Sequence, residues 1–276
     1  MKPFMAVAAI LSLVCAAAAA EAQTIIPLTL YHDRIPAFHA RVNGHDGFFL
    51  FDTGGGISVL SPQFAGFSGC TAWGQVTGFR MSGERMDLKR CDNVTFEVAG
   101  AQLEDSTTGI FDIMGLVQEK TPLLDGSLAL DLFAGQIVTL DVSGRTLTIE
   151  TPESFAARKR KATEIPARFV RDAEGAALTM AAGVPTPAGM SWMELDSGND
   201  GVFAIGNHIA PLFHLQPDSK AAHPISFLLG GSIPVKGTAR TANLIMDGNI
   251  GEQFFALWAV TFDLKSGRVW VSPSAR

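Results

Sequence analysis

Charge is scarce in this chain: Asp, Glu, Lys and Arg make up 17% of its 276 residues, and the formal net charge is −6. Such a surface has no electrostatic footprint for nucleic acid, and 47% hydrophobic residues excludes a disordered chain. Cysteine is nearly absent, with three residues and no Cys-x-x-Cys pair, which makes redox catalysis and zinc binding poor readings. The six histidines, at 32, 39, 45, 208, 214 and 223, include no His-x-x-x-His pair, so no metal or other cofactor is expected. No Gly-rich loop ends in Gly-Lys-Ser/Thr and no Gly-x-Ser-x-Gly occurs. P-loop chemistry and the serine-hydrolase elbow are therefore set aside. Long helical patterns are also missing; only Pro62–Ala65 and Ile205–Ile209 have the character of a helical turn.

One long apolar run is present, at the start. Met1-Lys2-Pro3, an apolar stretch from Phe4 to Val14 and an alanine run ending Ala20-Glu21-Ala22 resemble a secretory signal peptide cleaved after Ala22. The rival readings are a retained membrane anchor and a lipoprotein acylated at Cys15, although Val14 is bulky for the latter. The expected location is exported, periplasmic or secreted, with no stable membrane insertion once the leader is gone. Cys70 and Cys91 then remain, an even pair in an oxidising compartment. A disulfide closing about 20 residues contributes roughly 3 kcal/mol in the chain-entropy model; two buried thiols are the alternative.

The most informative feature is a repeat. Phe49-Leu50-Phe51-Asp52-Thr53-Gly54 and Met193-Glu194-Leu195-Asp196-Ser197-Gly198 each end an apolar run with an aspartate, a small hydroxyl residue and a glycine. Each half also closes alike. Asp125-Gly126-Ser127-Leu128-Ala129 leads to Ile137–Asp141 in the first half, and Asp247-Gly248-Asn249-Ile250-Gly251 leads to Ala259–Asp263 in the second. The second copy is 22 residues shorter between its motif and its close, the size of a hairpin or loop. The chain divides as leader 1–22, first lobe 23–150, linker 151–163 with the basic run Arg158-Lys159-Arg160-Lys161, and second lobe 164–276. Both lobes read as short strands, so the expected architecture is mainly β. Hairpins are expected around Gly74–Arg90 and Phe227–Val235.

These paired motifs resemble aspartic peptidases, both the pepsin-like bilobal and the retropepsin-like kinds. The resemblance implies a bilobal acid-protease fold made of two tandem retropepsin-like lobes with a cleft between them. It also implies an endopeptidase that acts on peptide or unfolded protein as a monomer, since both half-sites lie in one chain. Asp52 and Asp196 become the catalytic pair, with Thr53, Gly54, Ser197 and Gly198 as support and Gly78, Gly230 and Gly231 as flap candidates. Two carboxyls brought face to face cannot both ionise cheaply and so share a proton. One then takes a proton from water while the other donates to the scissile carbonyl, with no cofactor.

Several residues depart from the family pattern. Gly55 and Asn199 stand where a small Ser, Thr or Ala follows the motif glycine, and Ala129 stands where the closing motif has glycine. Tyr31 is the only tyrosine, so the pepsin-type flap tyrosine is missing. Glu194 falls on the same side of its strand as Asp196 and can raise the pair's proton affinity. Trp73 is a candidate for the cleft wall. The alternative function is a catalytically inactive peptide-binding or scaffolding protein of the same fold.

Overall fold

The computed structural model describes residues 23–117 and 121–275; the expected leader lies outside them. Lobe one opens with β1 (Thr24–Pro27), β2 (Thr29–Tyr31), β3 (Ile35–Val42) and β4 (His45–Phe51). Asn43 and Gly44 turn β3 into β4 at φ 49° and 84°, the left-handed pair of a two-residue hairpin whose twist matches its strands. After β5 (Val59–Leu60), helix α1 (Pro62–Phe67) starts where the Ser61 hydroxyl accepts from Phe64 N and Pro62 presets the first turn. Then come β6 (Trp73–Phe79), β7 (Arg85–Val98), β8 (Ala101–Ile110), β9 (Gly126–Leu128), β10 (Ile137–Asp141) and β11 (Thr146–Ile149). A Cys70–Cys91 disulfide, with Cα atoms 5.9 Å apart, ties the turn after α1 to β7.

The stretch between the lobes carries α2 (Pro152–Lys159), in which Thr151 and Ser154 cap each other's backbone and Phe155 meets Trp270 edge-on at 4.9 Å. Lobe two follows as β12 (Thr163–Ile165), β13 (Ala167–Val170), β14 (Thr179–Thr186), β15 (Gly189–Leu195), β16 (Phe203–Gly206), β17 (His223–Leu229), β18 (Ile233–Ala242) and β19 (Gly248–Ile250). Helix α3 (Glu252–Phe255), β20 (Trp258–Asp263) and β21 (Arg268–Pro273) end it.

Eight strands in the order β2-β3-β4-β9-β5-β8-β7-β6 make the first sheet, and seven in the order β13-β14-β15-β19-β16-β18-β17 make the second. The third sheet is shared: β1-β11-β10 of lobe one meets β20-β21-β12 of lobe two. At its centre Thr139 pairs with Thr261, their hydroxyls 2.8 Å apart, which marks the approximate two-fold relation between the lobes. The repeat reappears in the register. Parallel β4 and β9 align Phe49 with Gly126, and parallel β15 and β19 align Met193 with Gly248. The shorter second copy has no counterpart of β6, because residues 207–222 pass from β16 to β17 without a strand. Fully buried Phe38, Phe49, Phe51 and Phe133 fill lobe one, each contributing about 2–3 kcal/mol by leaving water.

Candidate active site

The motif aspartates leave the ends of two equivalent buried strands. Asp52 N donates to Leu128 O and Asp196 N to Ile250 O, each at 2.9 Å. Four residues earlier, Phe48 N donates to Asp125 Oδ2 and Trp192 N to Asp247 Oδ2, each at 2.8 Å. The Asp-Gly of each closing motif thus pins the strand that carries the motif aspartate. Gly126 is required beside it, because a Cβ there would overlap the Val59 carbonyl.

The two tips lock together through hydroxyls. Thr53 Oγ1 donates to Leu195 O at 2.7 Å and accepts from Ser197 N at 2.9 Å. In mirror fashion Ser197 Oγ donates to Phe51 O at 2.8 Å and accepts from Thr53 N at 3.0 Å. Four backbone groups that strand ends leave orphaned are satisfied across the lobe boundary, with Thr53 and Ser197 buried. Gly54 N and Gly198 N donate to their own aspartates at 2.9 and 2.8 Å. A Cβ on Gly54 would overlap the carboxyl of Asp196, and one on Gly198 that of Asp52, so each glycine makes room for the opposite aspartate.

Asp52 and Asp196 are within hydrogen-bonding reach of each other, and burial, then the Asp196 charge, lifts the Asp52 carboxyl well above its ordinary range against the pull of Gly54 N. The pair is unequal. Among the described residues Asp52 accepts from one backbone or amide donor, Gly54 N, whereas Asp196 accepts from Gly198 N, from Asn199 N at 3.1 Å and from Asn249 Nδ2 at 2.6 Å. Donors stabilise a carboxylate, so the charge belongs on Asp196 and the proton on Asp52.

Asn249 is a residue that sequence reasoning missed. Fully buried, it accepts at Oδ1 from Asn199 Nδ2 (2.8 Å), which fixes its amide orientation. Its Nδ2 then faces both Asp196 and Glu194, the latter at 3.1 Å. Asn199 therefore reaches the aspartate through a second amide, in place of the hydroxyl expected at its position. The other departures form a swapped pair: Gly251 is forced because its Cβ would overlap the Asn199 carbonyl, and at the equivalent positions lobe one has Ala129 and the smaller Gly55. Glu194 is 9% exposed, and burial followed by the Asp196 charge raises its carboxyl to about 7.

A cavity of about 180 Å³ opens beside Asp52 and Gly198, walled by Tyr31, Ile35, Leu50 and Ile113. Tyr31, the lone tyrosine, is part of that wall and donates to Pro122 O at 3.1 Å. Arg34 and Asp200, 3.3 Å apart, join the lobes at its edge. A larger hollow of about 590 Å³ lies elsewhere, along α2 and the shared sheet, and contains neither motif aspartate.

Of the flap candidates, Gly78 lies in the β6–β7 hairpin, which leans over to lobe two. A Cβ on Gly78 would stand 3.8 Å from Asp172, Val76 packs with Ile57, Ala173 and Ala177, and at the hairpin tip Met81 O accepts from Ile245 N at 3.0 Å. Gly230 and Gly231 are elsewhere, which corrects that expectation. They turn β17 into β18, Gly230 N donates to Gly183 O at 2.7 Å, and a Cβ there would meet Ile165 at 2.7 Å. Along β14, Gly183 is about 13 Å from Thr179, the end that approaches the active tips at Gly56. Trp73 is 52% exposed with Arg90 stacked 4.4 Å above its ring, and does not wall the cavity. Among the described residues no group of three or more His, Cys, Asp or Glu side chains is placed to hold a metal ion, and no helix is long and apolar enough to cross a membrane.

No protein-family model matches the chain, and no curated protein sequence does. Among solved structures, the crystal structure of Basic 7S globulin from soybean is similar over 92% of this chain and 95% of that one, with a TM-score of 0.59 and 8% identity. At that identity the likeness shows the fold alone: mainly β, two-lobed and pepsin-like.

Proposed function

We propose that this chain is an exported aspartic endopeptidase that hydrolyses extended peptide or unfolded protein. The observation that supports it most is the crossed hydrogen-bonding of Thr53 and Ser197, which sets the Asp52 and Asp196 carboxyls facing each other at the edge of a cavity. Asp196, with its three donors, takes a proton from water as the oxygen attacks the scissile carbonyl carbon. Asp52 gives its proton to the carbonyl oxygen. The tetrahedral diol then collapses, the proton on Asp196 passes to the leaving nitrogen, and Asp52 recovers one from the diol hydroxyl. The Cys70–Cys91 disulfide supports an oxidising location.

One observation favours the second reading, a peptide-binding protein without turnover: Gly55 gives Asp52 no hydroxyl partner. Incubation of the chain with an unfolded protein from pH 3 to 8 separates the two. The peptidase reading expects cleavage, blocked by a statine-type inhibitor and reduced at least ~10³-fold in Asp52→Asn and Asp196→Asn. Cleavage that survives both substitutions overturns it. Peptide binding with no cleavage at any pH establishes the second reading.

A further inference from the structure

Glu194 is a third carboxyl at the candidate site, and nothing in the two-aspartate reaction uses it. It lies two residues before Asp196 on β15, with its side chain on the same face, and both accept from the single Nδ2 of Asn249, at 3.1 and 2.6 Å. All three side chains are buried. Among the described residues no cation is placed to compensate it. From β14 come Ala181, directly opposite, and the buried Thr179. From β19 comes Asn249, and the charged groups that face Glu194 are Asp196 on its own strand and Asp52 on the opposing tip.

We propose that Glu194 is a positioning residue of the dyad: anchored on the Asn249 amide, it holds its negative charge against the pair and keeps the shared proton on Asp52 at pH values where an isolated pair would release it. The inference rests on the peptidase reading above and deepens it, because it makes the site a pair guarded by a third acid. Three neighbouring carboxylates in one buried space would repel one another, so each that ionises delays the next. Glu194 is raised to about 7, its charge is one of the causes that lift Asp52, and once ionised it opposes loss of the catalytic proton. The alkaline limit of activity therefore lies at higher pH than the pair alone would set. A neutral acceptor would satisfy Asn249 equally well, so glutamate differs from glutamine here only in its charge.

That difference is the test. Glu194→Gln in the full chain retains an acceptor for Asn249 and cannot ionise. The expected result is kcat/KM within twofold of the parent at pH 4–5, and an alkaline limb moved to lower pH, about threefold less activity at the parent's upper half-maximal pH. Glu194→Leu moves the limb the same way, which keeps the test open if one variant folds poorly, and Glu194→Asp restores it. Superimposable profiles, a uniform loss at every pH, or a limb moved upward would overturn the proposal. ¹³C-carboxyl NMR of Asp52 gives a reading that needs no turnover: its midpoint must fall in Glu194→Gln, and an unmoved midpoint overturns the inference. If the parent chain does not cleave at all, the peptidase reading fails by itself and the NMR result alone decides this one.

Discussion

Thr53 and Ser197 do for the backbone what Gly54 and Gly198 do for the carboxyls, the first pair by bonding across the tips and the second by leaving space. Removing one hydroxyl leaves Leu195 O without its donor and Ser197 N without its acceptor in a buried place, so Thr53→Ala is expected to cost about 3 kcal/mol. Thr53→Ser, which keeps the oxygen, is expected to cost less than about 1 kcal/mol. Urea unfolding midpoints check both; equal losses would show that the methyl, not the hydroxyl, matters. The aspartates, hydroxyls and glycines of the tips were legible in the sequence because their residue types state the chemistry and occur twice. Asn249 was not, since an asparagine within Asp-Gly-x-Ile-Gly acquires meaning only when β15 and β19 lie side by side. Ala129 and Gly55 likewise read as two separate departures until the fold shows their counterparts Gly251 and Asn199 packed on each other. Tyr31, which as the lone tyrosine reads only as a missing flap residue, walls the cavity because that wall is drawn from β2.

The β6–β7 hairpin carries β6, the strand that has no counterpart in lobe two, and it bridges the lobes through Met81 and Ile245. Replacing residues 81–83 by a two-residue turn removes that bond while leaving the hairpin strands intact. We expect KM for a peptide substrate to rise roughly tenfold, as loss of about 1.4 kcal/mol of closure would give. An unchanged KM in steady-state kinetics would show that the hairpin takes no part in holding substrate. The disulfide anchors the far end of the same arm, and its reduction is expected to cost about 3 kcal/mol, read as a lower unfolding midpoint in dithiothreitol. The hairpin over 74–90 was readable from its glycines, and its reach over lobe two was not. Gly230-Gly231 shows why: the same turn chemistry marks any tight hairpin, and the parallel pairing of β16 with β18, distant in sequence, decides where that tip points. Ile205–Ile209 misled similarly. Ile205 and Gly206 close strand β16, and the helical turn comes later at Ala210–Phe213, where Pro211 presets it.

On the scale of the molecule, buried carboxyls dominate the response to pH. Burial, with the neighbouring Asp105 charge, lifts Asp131 to about 8, and Glu194 is lifted to about 7. An acid whose folded value exceeds its unfolded value holds a proton that the unfolded chain has released. Stability is thus full below about pH 4, where both states are protonated, and is lost as pH rises toward 8. The melting temperature is expected to be on the order of 10 °C lower at pH 8 than at pH 5, and Asp131→Asn is expected to flatten that slope. A slope of the opposite sign in thermal scans would contradict it. The two-lobed plan behind this behaviour was legible because duplication repeats its motifs; the shared sheet joining β10 to β20 was not, since its strands pair across the two copies. Everything proposed for the site depends on one proton held between Asp52 and Asp196. Neutron diffraction from a crystal grown at pH 5 in D₂O tests it most directly. One deuterium is expected between the two carboxyls, bonded to Asp52, with Asp196 bare; two neutral acids, two carboxylates, or carboxyls that do not touch would contradict it.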